Sequence, residues 1–218
     1  MNIIELWTIC SANGIVLGDD QMEMLNRYIT ELIYWNSKVN LISRKDEQNI
    51  IEKHILHSLS VLKYVGIPVK SRCLDVGTGG GLPGLPVAIA CRGIQMLLLD
   101  SIKKKIKLTE MFARHTGLRN VDAICSRVET LQDSKNYFQY FDFIFSRGVG
   151  KAVEVLSWVT PILKPGGKVI LYKGGDLEAE IDEAKKKFKS INIENIQISL
   201  FGCGSFAGDD KRLLMCTA

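Results

Sequence analysis

The stretch from Leu74 to Gly84 reads LDVGTGGGLPG, and it decides the fold. A short apolar run carries Asp75 near its end, and a glycine-rich turn then leads into a helix that begins near Pro83. Glycine lets a turn tighten and lets backbone N–H groups approach a ligand closely. The stretch therefore predicts a strand, a turn and a helix that together bind a nucleotide-like cofactor.

Beyond Arg72 the chain alternates short apolar runs with helix-length segments. This alternation is typical of βαβ units and predicts an α/β fold with a doubly wound, mostly parallel sheet. Two late strand-like runs, joined by a loop over residues 202–211, predict a C-terminal antiparallel hairpin at the sheet edge. The predicted strands cover residues 73–76, 95–99, 121–125, 141–146, 168–172, 196–201 and 212–217, and the predicted helices cover residues 83–90, 103–116, 153–163 and 176–189.

The chain before residue 68 has the periodicity of helices. Apolar residues recur at helical spacing over residues 3–10, 20–36 and 47–65, and Pro68 closes the last pattern. We therefore predict a helical N-terminal extension over residues 1–67 and an α/β domain over residues 68–218.

Composition excludes several classes of protein. Hydrophobic residues make up 46% of the 218 residues and charged residues 24%, which is the balance of an ordinary globular chain. The longest strongly apolar run, residues 94–99, is far shorter than the roughly 20 residues that cross a bilayer, so we expect a cytoplasmic protein without membrane attachment. The six cysteines and three histidines lack metal-ligand spacing, and no sustained heptad appears, so we expect no metal and a monomer.

Two classes of cofactor compete for the glycine-rich turn. Gly79, Gly81 and Gly84 satisfy the G-x-G-x-x-G pattern of dinucleotide-binding proteins, so an NAD-linked oxidoreductase is one alternative. In the other register, Asp75 precedes Gly77, Gly79 and Gly81. A carboxylate there would repel a pyrophosphate, whereas it would attract the cationic amino-acid end of S-adenosylmethionine (SAM). The second register favours SAM.

Groups that follow the next two predicted strands complete the cofactor site. Asp100 ends an apolar run, where a fixed carboxylate can accept hydrogen bonds from both hydroxyls of a ribose. The segment Ser126-Arg-Val-Glu129 follows the third predicted strand, where backbone groups can bond the adenine edge. From the residues alone we assign to the cofactor Asp75, Gly77, Gly79, Gly81 and Asp100.

Five segments carry a family resemblance: Trp35-Asn-x-x-x-Asn-Leu41, Leu74 to Gly84, Ser126-Arg-Val-Glu129, Phe141-Asp-x-Ile-x-Ser-Arg147 and Leu163-Lys-Pro-Gly-Gly-Lys168. Together, and in this order over nearly the whole chain, they resemble the bacterial small-subunit ribosomal RNA guanine-N7 methyltransferases, the glucose-inhibited division protein B family. The resemblance implies a class I SAM-dependent methyltransferase fold with SAM as methyl donor. It also implies N7 of one guanine in the decoding region of 16S ribosomal RNA as the target, with the RNA or the 30S subunit as partner.

The resemblance extends to single positions. Family cofactor positions match Gly77, Leu82, Val128, Glu129 and Arg147. Family arginines around the active-site cleft match Arg127, Arg147 and Arg212, of which we take Arg147 and Arg212 as catalytic. To the substrate RNA we assign Arg127, Lys173, Arg44 and Lys45. There are two departures, because His57 stands where the family usually has an acidic residue and Gly80 where it often has proline.

The target atom determines what chemistry the site must supply. N7 of guanine exposes an unprotonated lone pair, so methyl transfer from a sulfonium needs alignment and no obligatory general base. We therefore assign Arg147 to positioning of phosphate, base or cofactor carboxylate. A ribosome-assembly factor that keeps the fold and binds RNA without catalysis is a second alternative.

Overall fold

The computed structural model describes the backbone of all 218 residues and every side chain except that of Arg44. Its centre is a seven-stranded sheet with the strand order β3-β2-β1-β4-β5-β7-β6. The strands are β1 (Arg72–Val76), β2 (Gln95–Asp100), β3 (Val121–Cys125), β4 (Phe141–Arg147), β5 (Leu163–Gly174), β6 (Asn192–Gln197) and β7 (Lys211–Thr217). Strands β1 to β5 pair in parallel, while β7 pairs antiparallel with both β5 and β6. The predicted α/β class and the antiparallel edge are confirmed.

The sixth strand lies four residues earlier than predicted. The expected strand over residues 196–201 is wrong, because the ladder with β7 runs from Asn192 to Gln197. Beyond it, Ile198 and Leu200 are buried in the cluster that contains the N-terminal helices. Ser199 exchanges backbone hydrogen bonds with the phenol of Tyr64, at 2.8 and 3.0 Å. The alternating pattern after residue 197 therefore serves contact with the helical extension and not strand pairing.

Nine α-helices connect these strands and form the extension: α1 (Ile3–Ala12), α2 (Asp19–Asn36), α3 (His57–Leu59), α4 (Gly84–Ala90), α5 (Lys103–His115), α6 (Val128–Gln132), α7 (Ala152–Val159), α8 (Glu178–Lys187) and α9 (Ser205–Gly208). The single helix predicted over residues 47–65 is wrong in type. The chain there forms a 3-10 turn over Arg44–Asn49, a π-helix over Ile51–Leu56, then α3 and a 3-10 turn over Ser60–Lys63. Residues 54–61 are all buried, so this segment lacks the alternation of buried and exposed faces that is typical of a regular surface helix.

Helices cover both faces of the sheet. Buried side chains of α4, α5 and the N-terminal helices form one continuous apolar cluster with one face. Buried side chains of α6, α7 and α8 form a second cluster on the other face. The predicted boundary between residues 67 and 68 falls in the connection between Lys63 and β1, and the division into two domains stays a prediction. Within the described chain, no helix combines the length and the apolarity that crossing a membrane takes.

Candidate active site

The turn after β1 requires glycine at its first position. The amides of Gly77 and Thr78 both donate to the carbonyl oxygen of Leu99 on β2, at 2.8 and 2.9 Å. Gly77 has a φ of +71°, which L side chains rarely adopt. A Cβ atom at Gly77 would lie 2.3 Å from a methyl carbon of Val149. The backbone therefore passes close to the end of β4, at the carboxyl edge of the sheet, where α/β proteins bind their ligands.

Asp75 is fully buried beneath this turn. Its Oδ2 accepts hydrogen bonds from the Thr78 hydroxyl at 2.7 Å and from the Gly84 amide at 2.9 Å. Burial raises the pKa of Asp75 to about 6, although these two hydrogen bonds oppose the shift. Its Oδ1 has no hydrogen-bond partner among the described atoms. One oxygen thus stabilises the turn, and the other is buried without a hydrogen bond.

Asp100 holds the same turn from the neighbouring strand. Its Oδ2 accepts from the Gly79 amide at 3.0 Å and its Oδ1 from the Ile102 amide at 2.9 Å. A carboxylate oxygen carries two lone pairs, so each oxygen retains capacity for a second donor. The carboxylate is thereby fixed in orientation, as recognition of a ribose requires.

A cavity of about 240 Å³ opens at the ends of β1, β2 and β3. It brings together five of the residues that the sequence assigned to the site: Gly77, Asp100, Arg127, Val128 and Glu129. The sequence did not single out Ser101, Val149 or Trp158, which also line it. Trp158 lies in the apolar pattern of α7 and belongs to no motif, so the sequence does not distinguish it from a core residue. Val149 could be predicted only from its position two residues after Arg147.

Other predicted cofactor residues shape the turn and do not line this cavity. Gly79 and Gly81 have φ values of +57° and +99°. The amides of Gly81 and Leu82 both donate to the Thr78 carbonyl at 2.8 Å, and the Leu82 side chain is buried. Since the Gly79 and Gly84 amides bond Asp100 and Asp75, no amide at these positions is free to hold a pyrophosphate in the described structure. This geometry disfavours the NAD-linked alternative.

The helical extension packs directly on the turn. Tyr28 of α2 donates its phenol to the Gly80 carbonyl at 2.8 Å. The Asn36 side chain accepts the amides of Leu41 and Ile42, both at 2.9 Å, which closes the turn that the Trp35-to-Leu41 motif encodes. A Cβ at Gly80 would lie 3.3 Å from Cβ of Leu41. The motif therefore positions Leu41 against the cofactor loop.

Arg147 ends β4 beside the extension and does not line the cavity. Its Nη2 lies 2.8 Å from Nδ1 of His54 in the π-helix. Burial lowers the pKa of Arg147, while the phenols of Tyr28 and Tyr172 and the carboxylate of Asp75 act in the opposite direction. A guanidinium stays charged even so, because its ordinary pKa exceeds 12.

The remaining basic residues lie elsewhere on the surface. Arg212 and Lys173 are paired across β7 and β5. Arg212 donates to Asp210 at 2.9 Å, and Lys173 bonds Glu180 at 2.6 Å. Lys45 is exposed, whereas the side chain of Arg44 lies outside the described residues. Within the described part of the chain, no group of three or more His, Cys, Asp or Glu has the arrangement that holds a metal ion.

Comparison with known proteins decides the family. The GidB sequence family, described as rRNA small subunit methyltransferase G, matches residues 21–206. The Ribosomal RNA small subunit methyltransferase G of Chlorobium phaeobacteroides is 42% identical over 201 residues, which is 89% of this chain and 88% of that protein. That of Alkaliphilus oremlandii is 34% identical, over 86% of this chain and 80% of the relative. The chain belongs to this family.

Membership in the methyltransferase G family confirms the resemblance drawn from the five segments. The chain is accordingly an enzyme of the SAM-dependent methyltransferase class, with SAM as its cofactor. A SAM-dependent methyltransferase from Aquifex aeolicus superposes with a TM-score of 0.59 at 16% identity, over 83% of this chain and 97% of that one. Fibrillarin from a complex with Nop5p superposes at 0.57 and 12% identity, over 72% and 78%. These likenesses confirm the class I methyltransferase fold.

Proposed function

We propose that the protein transfers the methyl group of SAM to N7 of a guanine in the decoding region of 16S ribosomal RNA. The observation that carries the proposal is the cavity at the ends of β1 to β3, where Asp100 and Gly77 meet the segment Arg127 to Glu129. The match of residues 21–206 to a family named for the small-subunit rRNA supports the substrate.

The residues of this cavity, together with Asp75 beneath the adjoining turn, fit SAM. Asp100 would accept the ribose hydroxyls, and backbone groups at Val128 and Glu129 would meet the adenine. The unpartnered, buried Oδ1 of Asp75 suits a cationic amino group, because a charge-assisted hydrogen bond would satisfy it. Gly77 allows the backbone to approach closely, since a side chain there would meet Val149. When bound, SAM supplies an electrophilic methyl group on a sulfonium.

Catalysis by this chain is mainly alignment. Guanine N7 already carries the lone pair that attacks, so the protein need not remove a proton from it. The guanine becomes cationic as the methyl group arrives, which makes an arginine at the reacting centre unsuitable as a charge stabiliser. Arg147 therefore positions an anionic group, either a phosphate of the RNA or the carboxylate of the cofactor.

Basic side chains at the cavity and elsewhere on the surface serve the RNA. Arg127 lines the cofactor cavity and Lys45 is exposed on the extension. Arg212 and Lys173 lie side by side on the neighbouring strands β7 and β5, each with an acidic partner that it would exchange for phosphate. We assign Arg44 to the same surface from its sequence. The protein works as a monomer in the cytoplasm, where the 30S subunit is found.

Transfer of labelled methyl from SAM to 30S subunits and to naked 16S RNA tests the proposal, using material from cells that lack the protein. We expect label on a single guanine N7, located by cleavage at the modified base. Tight SAM binding without any labelled RNA would contradict the proposal and favour the non-catalytic assembly factor. Binding of NADH at micromolar concentration, with no SAM binding, would favour the oxidoreductase.

A further inference from the structure

Arg147 is held by an imidazole and not by a carboxylate. Its Nη2 lies 2.8 Å from Nδ1 of His54, and within the described residues no Asp or Glu forms a salt bridge with it. Arg212, the other arginine assigned to catalysis, bonds the carboxylate of Asp210 instead. The two arginines therefore differ in how much of their charge is already compensated.

The contact fixes the protonation state of His54. A guanidinium has N–H donors and no acceptor, so Nδ1 must be the acceptor and the ring proton must lie on Nε2. Burial and the charge of Arg147 lower the pKa of His54 to about 4, which agrees with a neutral ring. Around His54 lie the charged groups of Arg147, Asp46, Lys53 and Lys211.

Asp46 faces the protonated side of the ring. Its Oδ2 lies 3.6 Å from Nε2 of His54, too far for a hydrogen bond, so Nε2 has no hydrogen-bond partner among the described atoms. Its Oδ1 accepts from Nζ of Lys53 at 3.0 Å. A carboxylate on this side favours the Nε2–H tautomer, as second partners of histidine generally do. His54 in the π-helix thus lies between Asp46, in the 3-10 turn Arg44–Asn49, and Arg147 at the end of β4.

The departure at position 57 belongs to the same region. His57 is buried, with Tyr172 and Phe206 packed edge-on at centroid distances of 5.2 and 5.5 Å. The charge of Arg147 acts on His57 as well, since after burial it is the next cause that lowers the pKa of this ring. A carboxylate at this position would compete with His54 for the guanidinium, whereas burial and the charge of Arg147 favour a neutral ring at His57.

We propose that His54 acts as a positioning residue that holds Arg147 through a neutral acceptor, so that its charge and remaining N–H groups stay available for an anion. This inference rests on the proposed function, in which Arg147 positions a phosphate of the RNA or the carboxylate of SAM. A carboxylate partner would hold the guanidinium equally well but would neutralise it.

The test compares His54→Gln, His54→Glu and His54→Ala with Arg147→Ala in the full chain. Glutamine offers a neutral acceptor oxygen, glutamate offers a charged one and alanine offers none. We expect His54→Gln to keep activity within about threefold of the wild type. His54→Ala should lose about tenfold or more, because it removes a contact worth about 1.4 kcal/mol, and His54→Glu should lose as much, because its carboxylate neutralises the guanidinium. His115→Gln is the matched control, because this exposed ring bonds Glu31 at the end of α5.

Two binding measurements identify the anion. Calorimetry with SAM reports on the cofactor carboxylate, and binding of a 16S RNA fragment reports on the phosphate. If His54→Glu and Arg147→Ala both weaken SAM binding, Arg147 holds the carboxylate of the cofactor. If both weaken RNA binding, Arg147 holds a phosphate. These measurements do not depend on turnover, so they remain informative for any variant that folds.

The outcomes separate the inference from the proposed function. Equal losses in His54→Gln and His54→Glu would overturn it, because a merely structural role does not distinguish a neutral acceptor from a charged one. Full activity of a folded His54→Ala would also overturn it. An Arg147→Ala variant as active as the wild type would contradict the role of Arg147 in the proposed function, and absence of rRNA methylation by the wild type would contradict that function itself.

Discussion

The phenol of Tyr28 donates a hydrogen bond to the carbonyl oxygen of Gly80 at 2.8 Å, across the joint between the extension and the cofactor loop. Tyr28 is completely buried and packs edge-on against Phe112 of α5 at 5.8 Å. The side chains of Leu32 and Leu41 lie on the same loop residue. The position of the cofactor loop therefore depends on helices that are distant from it in sequence.

Tyr28→Phe tests this dependence. Removing the hydroxyl leaves a buried carbonyl without its donor, which costs about 1–3 kcal/mol. We expect the free energy of unfolding to fall by that amount and SAM binding to weaken several-fold, because the loop loses a fixed contact. Urea denaturation and calorimetry measure the two effects. Tyr34→Phe is the control, since the Tyr34 side chain is half exposed, and an equal loss in both variants would contradict the argument.

Local sequence predicted the sheet because each strand is a short apolar run bounded by turn residues. The runs that became β1, β2, β4, β5 and β7 are buried nearly throughout or on one face, so their hydrophobicity alone reveals them, whereas β3 is only half-buried. Residues 196–201 have a strand pattern for another reason, because Ile198 and Leu200 are buried beneath the extension. A contact with residues more than 100 positions away leaves no local signal.

The same distinction applies to the site. Glycines and carboxylates at strand ends predicted Gly77 and Asp100, since their chemistry depends on local backbone geometry. The partner of Arg147 could not be predicted, because His54 reaches it only through a π-helix and across 93 positions of sequence. The glycine pattern also left the cofactor open. Bonds from the Gly79 and Gly84 amides to two carboxylates, which only the structure reveals, weigh against a pyrophosphate.

Asp100→Asn tests the assignment of this residue to the ribose. Hydrogen bonds to a charged group contribute about 1.5–3 kcal/mol, so we expect SAM affinity to fall by about 10- to 100-fold. Calorimetry measures the affinity, and thermal unfolding shows whether the loss comes from the loop, because Asp100 also bonds the Gly79 amide. Asp122→Asn changes an exposed carboxylate on the next strand and should leave the affinity unchanged. Unaltered affinity in Asp100→Asn would refute the assignment.

Gly77→Ala tests the close approach between the cofactor loop and β4. Gly77 and Gly148 both have a φ of +71°, but an added Cβ would meet Val149 only at Gly77 and open space at Gly148. The backbone cost of a left-handed residue is about 1–2 kcal/mol and is common to both variants. We expect the free energy of unfolding to fall by about 1–3 kcal/mol more in Gly77→Ala than in Gly148→Ala, because the added methyl group overpacks against Val149. Equal losses of stability in the two variants, measured by urea denaturation, would show that the close approach of Gly77 to Val149 imposes no steric constraint.

Asp75→Asn tests the cost of keeping a buried carboxylate. Burial raises the pKa of Asp75 from 3.8 to about 6, so between these values the folded protein holds a proton that the unfolded chain has released. Stability therefore falls as the pH rises through this window, and the loss reaches about 3 kcal/mol once both states are ionised. The asparagine variant has no such proton to lose. We expect its free energy of unfolding, relative to wild type, to rise by up to about 3 kcal/mol between pH 4 and pH 7.

The matched control for Asp75→Asn is Asp142→Asn, because the pKa of Asp142 is shifted in the opposite direction to that of Asp75. Burial acts to raise the pKa of Asp142, but hydrogen bonds from Lys164 and the Arg72 amide outweigh it and lower the pKa. Its stabilising contribution is present above pH 3.8 and is lost as the pH falls through the lowered pKa. Urea denaturation from pH 3 to pH 7 should therefore show Asp142→Asn losing stability relative to wild type as the pH rises, whereas Asp75→Asn gains it. A parallel pH dependence of Asp75→Asn and wild type would mean that the pKa of Asp75 is the same in the folded and the unfolded chain, which would contradict the effect of burial.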